Sequence, residues 1–315
     1  MDSLRVSVVG AGPVGSIIAA HLIEAGAEVV MCDISPKRID ALRRDGIILT
    51  NTIEKTVPVR ESVNSIRDLA AYDLDLVVYA LKCPFLLPAL EETQGIDNGK
   101  FYLMSAQNGI GTELDIASTF SRERTLRMVI NFAGNLTRTS SGEDAVNVTF
   151  FNPPNYVSAL SEEGEEMEER FVQRLNSVGL TTESSDNLQI HVWQKAILNA
   201  TLSPLCAITG QTMEDVMSFG PAVRLAEGVI RESIKVAEAD GLDLGSSFLE
   251  SAMGYLKKGG KHKPTMLVDI ENRLPTEIDY LNGKIEKYGR KHDIPVPLNS
   301  TLGTIVKLLE SKYSD

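Results

Sequence analysis

Cysteine is scarce in this chain. Three thiols in 315 residues, Cys32, Cys83 and Cys206, are too few and too scattered for a disulfide framework, and none forms a CxxC pair. An odd number of unpaired thiols fits a reducing compartment. Basic charge is also short: 31 lysines and arginines face 43 acids, a formal charge of −12 with a pI near 4.9. A chain without a broad cationic face repels phosphate backbones, which speaks against nucleic acid as a partner. No apolar run approaches the ~20 residues needed to cross a bilayer. Met-Asp-Ser-Leu-Arg leads straight into a strand-like run without the layout of a signal peptide. The four histidines have no metal-ligand spacing, and GxxxxGK[ST], HExxH and GxSxG are all missing. These absences predict a soluble cytoplasmic protein with no membrane span and no metal. One dense basic run remains, Lys257, Lys258, Lys261, His262 and Lys263, which is either a solvated loop or a clamp on a small anion.

What is present suits an ordinary globular protein. At 43% hydrophobic and 23% charged the chain can fill a core, and its length allows about two domains. Residues 4–9 read as a buried strand, 13–25 as a helix and 27–33 as a second strand. The run at 73–81 is continuously apolar after an acidic start, as in a strand covered on both faces. Residues 101–109, 125–134 and 147–152 are further strand candidates. Strands alternating with helices predict a doubly wound, mostly parallel sheet. After Asp186 the strand signals stop, and helical patterns cover 187–208, 220–240, 246–258, 266–288 and 297–313. The expected organisation is α/β: a Rossmann-type dinucleotide-binding domain over residues 1–185, then an all-helical substrate and dimerisation domain over residues 186–315. No Pro/Gly-rich linker separates them.

Gly10-Ala11-Gly12-Pro13-Val14-Gly15 spells G-x-G-x-x-G between a predicted strand and a predicted helix. Gly10 permits the tight turn, Gly12 lets backbone approach a pyrophosphate, and Gly15 lets helix and strand pack closely. Pro13 and Val14 open the helix, whose free N–H groups and partial positive charge face the phosphates. Asp33 follows Gly10 by 23 positions, near the distance at which an acid meets the adenosine ribose. A carboxylate there accepts hydrogen bonds from ribose hydroxyls and repels a 2′-phosphate, favouring NADH over NADPH. Lys37 and Arg38 lie close enough to hold such a phosphate if Asp33 turns away, and Asp33 can alternatively cap the next helix.

The segment HVWQKAILNATLSPLCAITG at 191–210 is apolar with helical period, yet Lys195, Asn199 and Ser203 recur every four residues. That spacing forms one stripe on a helix. A buried ammonium without partners is costly, so the stripe should line a polar cleft facing the dinucleotide's reactive ring. A lysine there can protonate the oxygen that becomes an alkoxide when hydride reaches a carbonyl carbon. The alternative is an amphipathic surface helix with a solvated lysine.

The glycine turn, Ala80-Leu81-Lys82, QNGIG at 107–111, VWQKAILNATLSPL at 192–205 and PTMLVDIENRLPTEIDYLNG at 264–283 occur in the order found in ketopantoate reductases. The chain resembles that family over almost its whole length, most specifically in TEIDYLNG and least in the glycine turn. The resemblance implies an NAD(P)H-dependent homodimer that reduces 2-dehydropantoate (ketopantoate) to (R)-pantoate for pantothenate and CoA biosynthesis. It implies Lys195 as general acid and Glu277 and Asn199 as substrate-binding groups. Asn108 would sit between cofactor and substrate, Lys82 on the cofactor side, and Thr265 at the substrate carboxylate. Each has a plainer reading: Asn108 as a turn former, Glu277 as a first-turn acid, Lys82 as a solvated strand end, Thr265 as a helix cap. Ser203 stands where the enterobacterial type has a second asparagine, Met213 near a further polar position, and Asp33 where the family often has a basic or neutral residue. Ser203 and Asp33 favour a related reading, a reductase of a different 2-oxo acid. A non-catalytic NAD sensor would need only the glycine turn, and gives no reason for Lys195, Asn199 and Glu277 to coexist.

Overall fold

A computed structural model describes residues 3–313 as two compact units. Among the described residues the first contains 3–107 and 112–188, the second 108–111 and 189–313.

In the first unit the chain runs β1 (Arg5–Val9), α1 (Pro13–Glu24), β2 (Glu28–Cys32), α2 (Pro36–Asp45), β3 (Ile47–Asn51), β4 (Lys55–Val57), β5 (Glu61–Val63) and β6 (Leu76–Tyr79). It continues through α3 (Leu86–Gln94), β7 (Tyr102–Ser105), α4 (Thr112–Thr119), β8 (Thr125–Val129), β9 (Phe132–Arg138), β10 (Asp144–Phe151), β11 (Asn155–Ala159), α5 (Glu165–Ser177) and β12 (Thr182–Ser184). The large sheet has the order β12-β11-β8-β7-β6-β1-β2-β5, and only the β11–β8 pair in it is antiparallel. Strand order reverses between β1 and β6, the switch point at which open α/β sheets bind ligands beyond their carboxyl ends.

Alternation along the strands explains their uninterrupted apolar sequence. Val6 and Val8 of β1, with Leu76 and Val78 of β6, join one core with α1, α2 and α5. Val9, Val77 and Tyr79 face the opposite core, closed by α3 and Ile116 of α4. Both faces are buried, so both must be apolar.

A second sheet, β4-β3-β10-β9, was not expected from the sequence. Its Leu49, Val57, Phe132, Val146 and Val148 extend the first of the two cores. Residues 125–134, read as one strand, therefore belong to two: β8 ends at Val129 in the large sheet and β9 starts at Phe132 in the small one. Between them Asn131 donates its backbone N–H to Asn155 Oδ1 (2.7 Å) and its side-chain amide to the Pro154 carbonyl (2.6 Å). The candidate strand at 101–109 stops at Ser105, where a loop begins.

The second unit holds α6 (Leu188–Thr209), α7 (Met213–Ser218), α8 (Gly220–Ala239), α9 (Phe248–Lys257), α10 (Thr265–Glu271), α11 (Asn282–Lys291) and α12 (Pro297–Glu310). The helix expected over 266–288 is instead α10, a 3₁₀ turn at Ile278–Tyr280, and α11. Arg273 takes a left-handed φ of 56° and Pro275 has no N–H to donate, so the chain breaks there despite its apolar spacing. Trp193 of α6 is fully buried and meets Tyr288 of α11 edge to face, with ring centroids 5.2 Å apart. No helix among the described residues is long and apolar enough to cross a membrane.

Candidate functional site

The turn after β1 has the form a dinucleotide requires. Gly10 has φ of +104°, and a β-carbon on it would lie 2.8 Å from the Leu81 nitrogen. A β-carbon on Gly15 would come within 1.9 Å of the Gly10 carbonyl oxygen. Gly12 differs: a β-carbon there would meet nothing within 4 Å, so the space over the turn is open. Gly12 is also the N-cap of α1 with no side-chain cap, and Pro13 is the first helical residue, with Val14 following. A glycine-lined opening over a helix N-terminus without a side-chain cap fits a pyrophosphate.

Asp33 lies just beyond β2, and both its carboxylate oxygens are engaged with backbone. Oδ2 accepts from the Ala11 N–H (2.8 Å) and Oδ1 from the Ser35 N–H (2.9 Å), ahead of the α2 N-cap. Asp33 therefore faces the glycine turn. Arg38 donates from Nε to the Ala11 carbonyl (2.8 Å) and from Nη2 to Ser16 Oγ (3.2 Å), with Asp144 3.8 Å from Nη1. Burial lowers its pKa, with Asp144 opposing that shift. Lys37 is exposed. Lys82 is half-buried and caps the short turn Cys83–Phe85. The carbonyl of its neighbour Leu81 accepts from Gln107 Nε2 (2.9 Å).

The second unit gathers the other candidates. Asn199 and Ser203 of α6, Thr265 of α10 and Glu277 line one small pocket with Met266, Asp269 and Leu281. Asn199 and Ser203 are one turn apart, which the stripe required. Thr265 is exposed, Asn199 and Glu277 are half-buried, and Ser203 is buried. Asn108 belongs to the same unit: its Nδ2 donates to Glu277 Oε2 (3.4 Å). The loop tip around it is fixed there, since Ile110 N–H donates to the Tyr280 carbonyl (2.9 Å). Gly109, at φ +96°, has no room for a β-carbon against Tyr280. Lys195 is half-buried on the same α6 stripe, two turns before Ser203, and is not among the residues lining the pocket.

Asp269 was not singled out in the sequence, although it sits one turn after Thr265 on α10 and is 3% exposed. The i, i+4 relation to Thr265 was the available signal. Met266 and Leu281 were overlooked because they read as ordinary core. The basic run starts at the end of α9 and continues as a loop with exposed lysines, held at its middle and its far end: the Gly260 carbonyl accepts from the Glu214 N–H (2.9 Å), and Lys263 Nζ pairs with Glu271 (2.6 Å). A larger cavity, about 570 Å³, is lined by Arg5, Glu28, Arg60 and Tyr72. Arg5 and Glu28 begin β1 and β2, the end opposite the glycine turn, so this cavity is remote from the dinucleotide chemistry. Among the described residues no group of three or more His, Cys, Asp or Glu could hold a metal ion.

The family described as "Ketopantoate reductase PanE/ApbA" matches residues 6–143, and "Ketopantoate reductase PanE/ApbA C terminal" matches residues 187–310. A 2-dehydropantoate 2-reductase of Pyrococcus horikoshii is 26% identical over 312 residues, covering 98% of each chain. A crystal structure of a PanE/ApbA family ketopantoate reductase from Ralstonia eutropha JMP134 superposes with a TM-score of 0.87 at 24% identity, covering 99% of this chain and all of that one. The ternary structure of D-mandelate dehydrogenase with NADH and anilino(oxo)acetate reaches a TM-score of 0.84, also at 24% identity, with the same coverage.

Proposed function

The chain belongs to the ketopantoate reductase family, and on that premise we propose that it reduces a 2-oxo acid to a 2-hydroxy acid, 2-dehydropantoate to (R)-pantoate first among them. The observation that carries this reading is the pocket where Asn199, Ser203, Thr265 and Glu277 converge, formed in part by the helical stripe that also bears Lys195. A nicotinamide dinucleotide, when bound, supplies the hydride. Gly10, Gly12, Pro13, Val14 and Gly15 are the residues that would hold its pyrophosphate, with Lys82 and Asn108 nearer the reacting end. NADH is the preferred form: Asp33 is drawn in to the glycine turn, and Arg38 is already committed to Ala11 and Ser16. In this reading residues 1–185 serve the dinucleotide and residues 186–315 the substrate.

Lys195 holds the proton that goes to the carbonyl oxygen as negative charge develops there. Its ammonium also offsets the substrate anion and the Glu277 carboxylate. Thr265 and Ser203 offer hydroxyls to the substrate carboxylate, while Asn199 and Glu277 orient its remaining oxygens. Asn108, bonded to Glu277, fixes that carboxylate's direction.

Ser203 favours a second reading, in which the best substrate is another 2-oxo acid. A hydroxyl reaches less far than the asparagine of the enterobacterial type and leaves room for a different side group. Purified protein assayed against a panel of 2-oxo acids with NADH and NADPH separates these. The expected result is fastest turnover of 2-dehydropantoate with NADH. Faster turnover of another acid selects the second reading, and dinucleotide binding without any turnover removes both. Lys195→Ala should lower kcat by about 10²–10⁴-fold while dinucleotide still binds; near-full kcat would rule out the lysine as proton donor.

A further inference from the structure

The helix that carries the substrate stripe has a defect inside it. Pro204 lies within α6, five residues before its C-terminal end at Thr209. In an α-helix residue 204 would donate its N–H to the carbonyl of Ala200, but proline has none. The Ala200 carbonyl is therefore left without its helical donor, and Ala200 itself is buried. A buried unpaired carbonyl is costly, so a donor from elsewhere is needed.

The donor is Asn282. Its Nδ2 lies 3.0 Å from the Ala200 carbonyl oxygen and 3.1 Å from Asn299 Oδ1, using both amide hydrogens. Asn282 is 1% exposed, at the first position of α11. Asn299 is held in turn by Glu232, whose Oε2 accepts from Asn299 Nδ2 (2.9 Å) and from the Asn299 N–H (3.0 Å). Glu232 Oε1 also accepts from the Leu298 N–H (2.9 Å) at the start of α12. The defect in α6 is thus closed by a side chain that is itself fixed to α12 and α8.

Its position gives this bond a functional consequence. The open turn, 200–204, directly follows Asn199 and contains Ser203. Asn282 directly follows Leu281, which shares the pocket lining with Glu277. One hydrogen bond therefore ties α6 to the segment that carries Glu277 and Leu281, two of the three that line the pocket, at the turn that sets the spacing of Asn199 and Ser203. We infer that Asn282 is a positioning residue for the substrate pocket, acting on α6 through the Ala200 carbonyl that Pro204 leaves open. This inference rests on the 2-oxo acid reading above.

The test is a double-mutant cycle, because Pro204→Ala returns the missing N–H and makes the Asn282 bond redundant. Asn282→Ala should lower kcat/KM for the 2-oxo acid about 10–100-fold, the scale of a small misplacement of reacting groups. The dinucleotide dissociation constant should stay within about two-fold, since the bond lies in the substrate pocket. The P204A/N282A enzyme should then match P204A. Hydrogen exchange of the 197–206 amides, measured without substrate, should quicken in N282A and return in the double variant. Wild-type kinetics and exchange in N282A, or a double variant that falls below P204A by the same factor as N282A below wild type, overturns the inference. If N282A does not fold, the comparison of P204A with P204A/N282A decides alone: near-equality supports the inference, a ten-fold gap defeats it. A wild-type protein that reduces no 2-oxo acid would defeat the functional reading, while exchange still decides the role of Asn282.

Discussion

A single methyl group separates the duties of two glycines in the turn after β1. On Gly15 it would lie 1.9 Å from the Gly10 oxygen, a backbone atom that cannot yield without moving β1 or α1. Gly15→Ala should cost about 1–3 kcal/mol or more of stability, read from urea unfolding. On Gly12 the same methyl meets nothing of the protein, so Gly12→Ala should keep the wild-type melting temperature and lose affinity for NADH on titration. Equal destabilisation by both, or unaltered NADH binding in G12A, would show that the opening over Gly12 is not the pyrophosphate site. Cysteines take no comparable part: burial pushes the thiols of Cys32 and Cys206 up to about 12, so neither offers a thiolate nucleophile near neutral pH.

At the level of elements, Asp33 joins the turn after β1 to the segment that starts α2, through the N–H groups of Ala11 and Ser35. Removing the carboxylate should therefore have two effects. Asp33→Ala should destabilise by about 0.5–2 kcal/mol, as for loss of a helix cap. It should also narrow the preference for NADH over NADPH in kcat/KM; a ratio that does not change would leave Asp33 purely structural. The glycine turn and its flanking strands were legible because their signals are local: a φ above zero, an apolar strand, a helix start. The α6 stripe was legible by period alone. The break between α10 and α11 was not, since the apolar spacing continues through it and only Arg273 and Pro275 mark the interruption. The division of residues 125–134 was hidden more deeply. It depends on Asn131 meeting Asn155 and Pro154 more than twenty residues along the chain, a partner that no local pattern names.

At the level of the whole molecule, one buried base ties stability to pH. His21 in α1 is 2% exposed and donates from Nδ1 to the Ile17 carbonyl (2.7 Å). Burial lowers its pKa below 6.5, outweighing the backbone bond that raises it. The unfolded chain accepts a proton that the folded one refuses, so stability falls as pH drops through the unfolded value of about 6.5, and continues to fall until the lower folded value is reached. Urea midpoints at pH 7.5 and 5.5 should differ less in His21→Leu than in the wild type; an identical difference would remove His21 as the cause. By itself the sequence determined the alternation of strands and helices up to about residue 185 and the helical remainder, the glycine turn and the helical stripe, because each follows from the conformational preferences of residues adjacent in the chain. Only the tertiary structure decided that Asn199, Ser203, Thr265, Asp269 and Glu277 share a pocket, and that Asn282 fills the gap left by Pro204. Those relations join residues up to about eighty positions apart. They arise because buried carbonyls and amides must find partners wherever packing brings them, and sequence spacing does not record where that is.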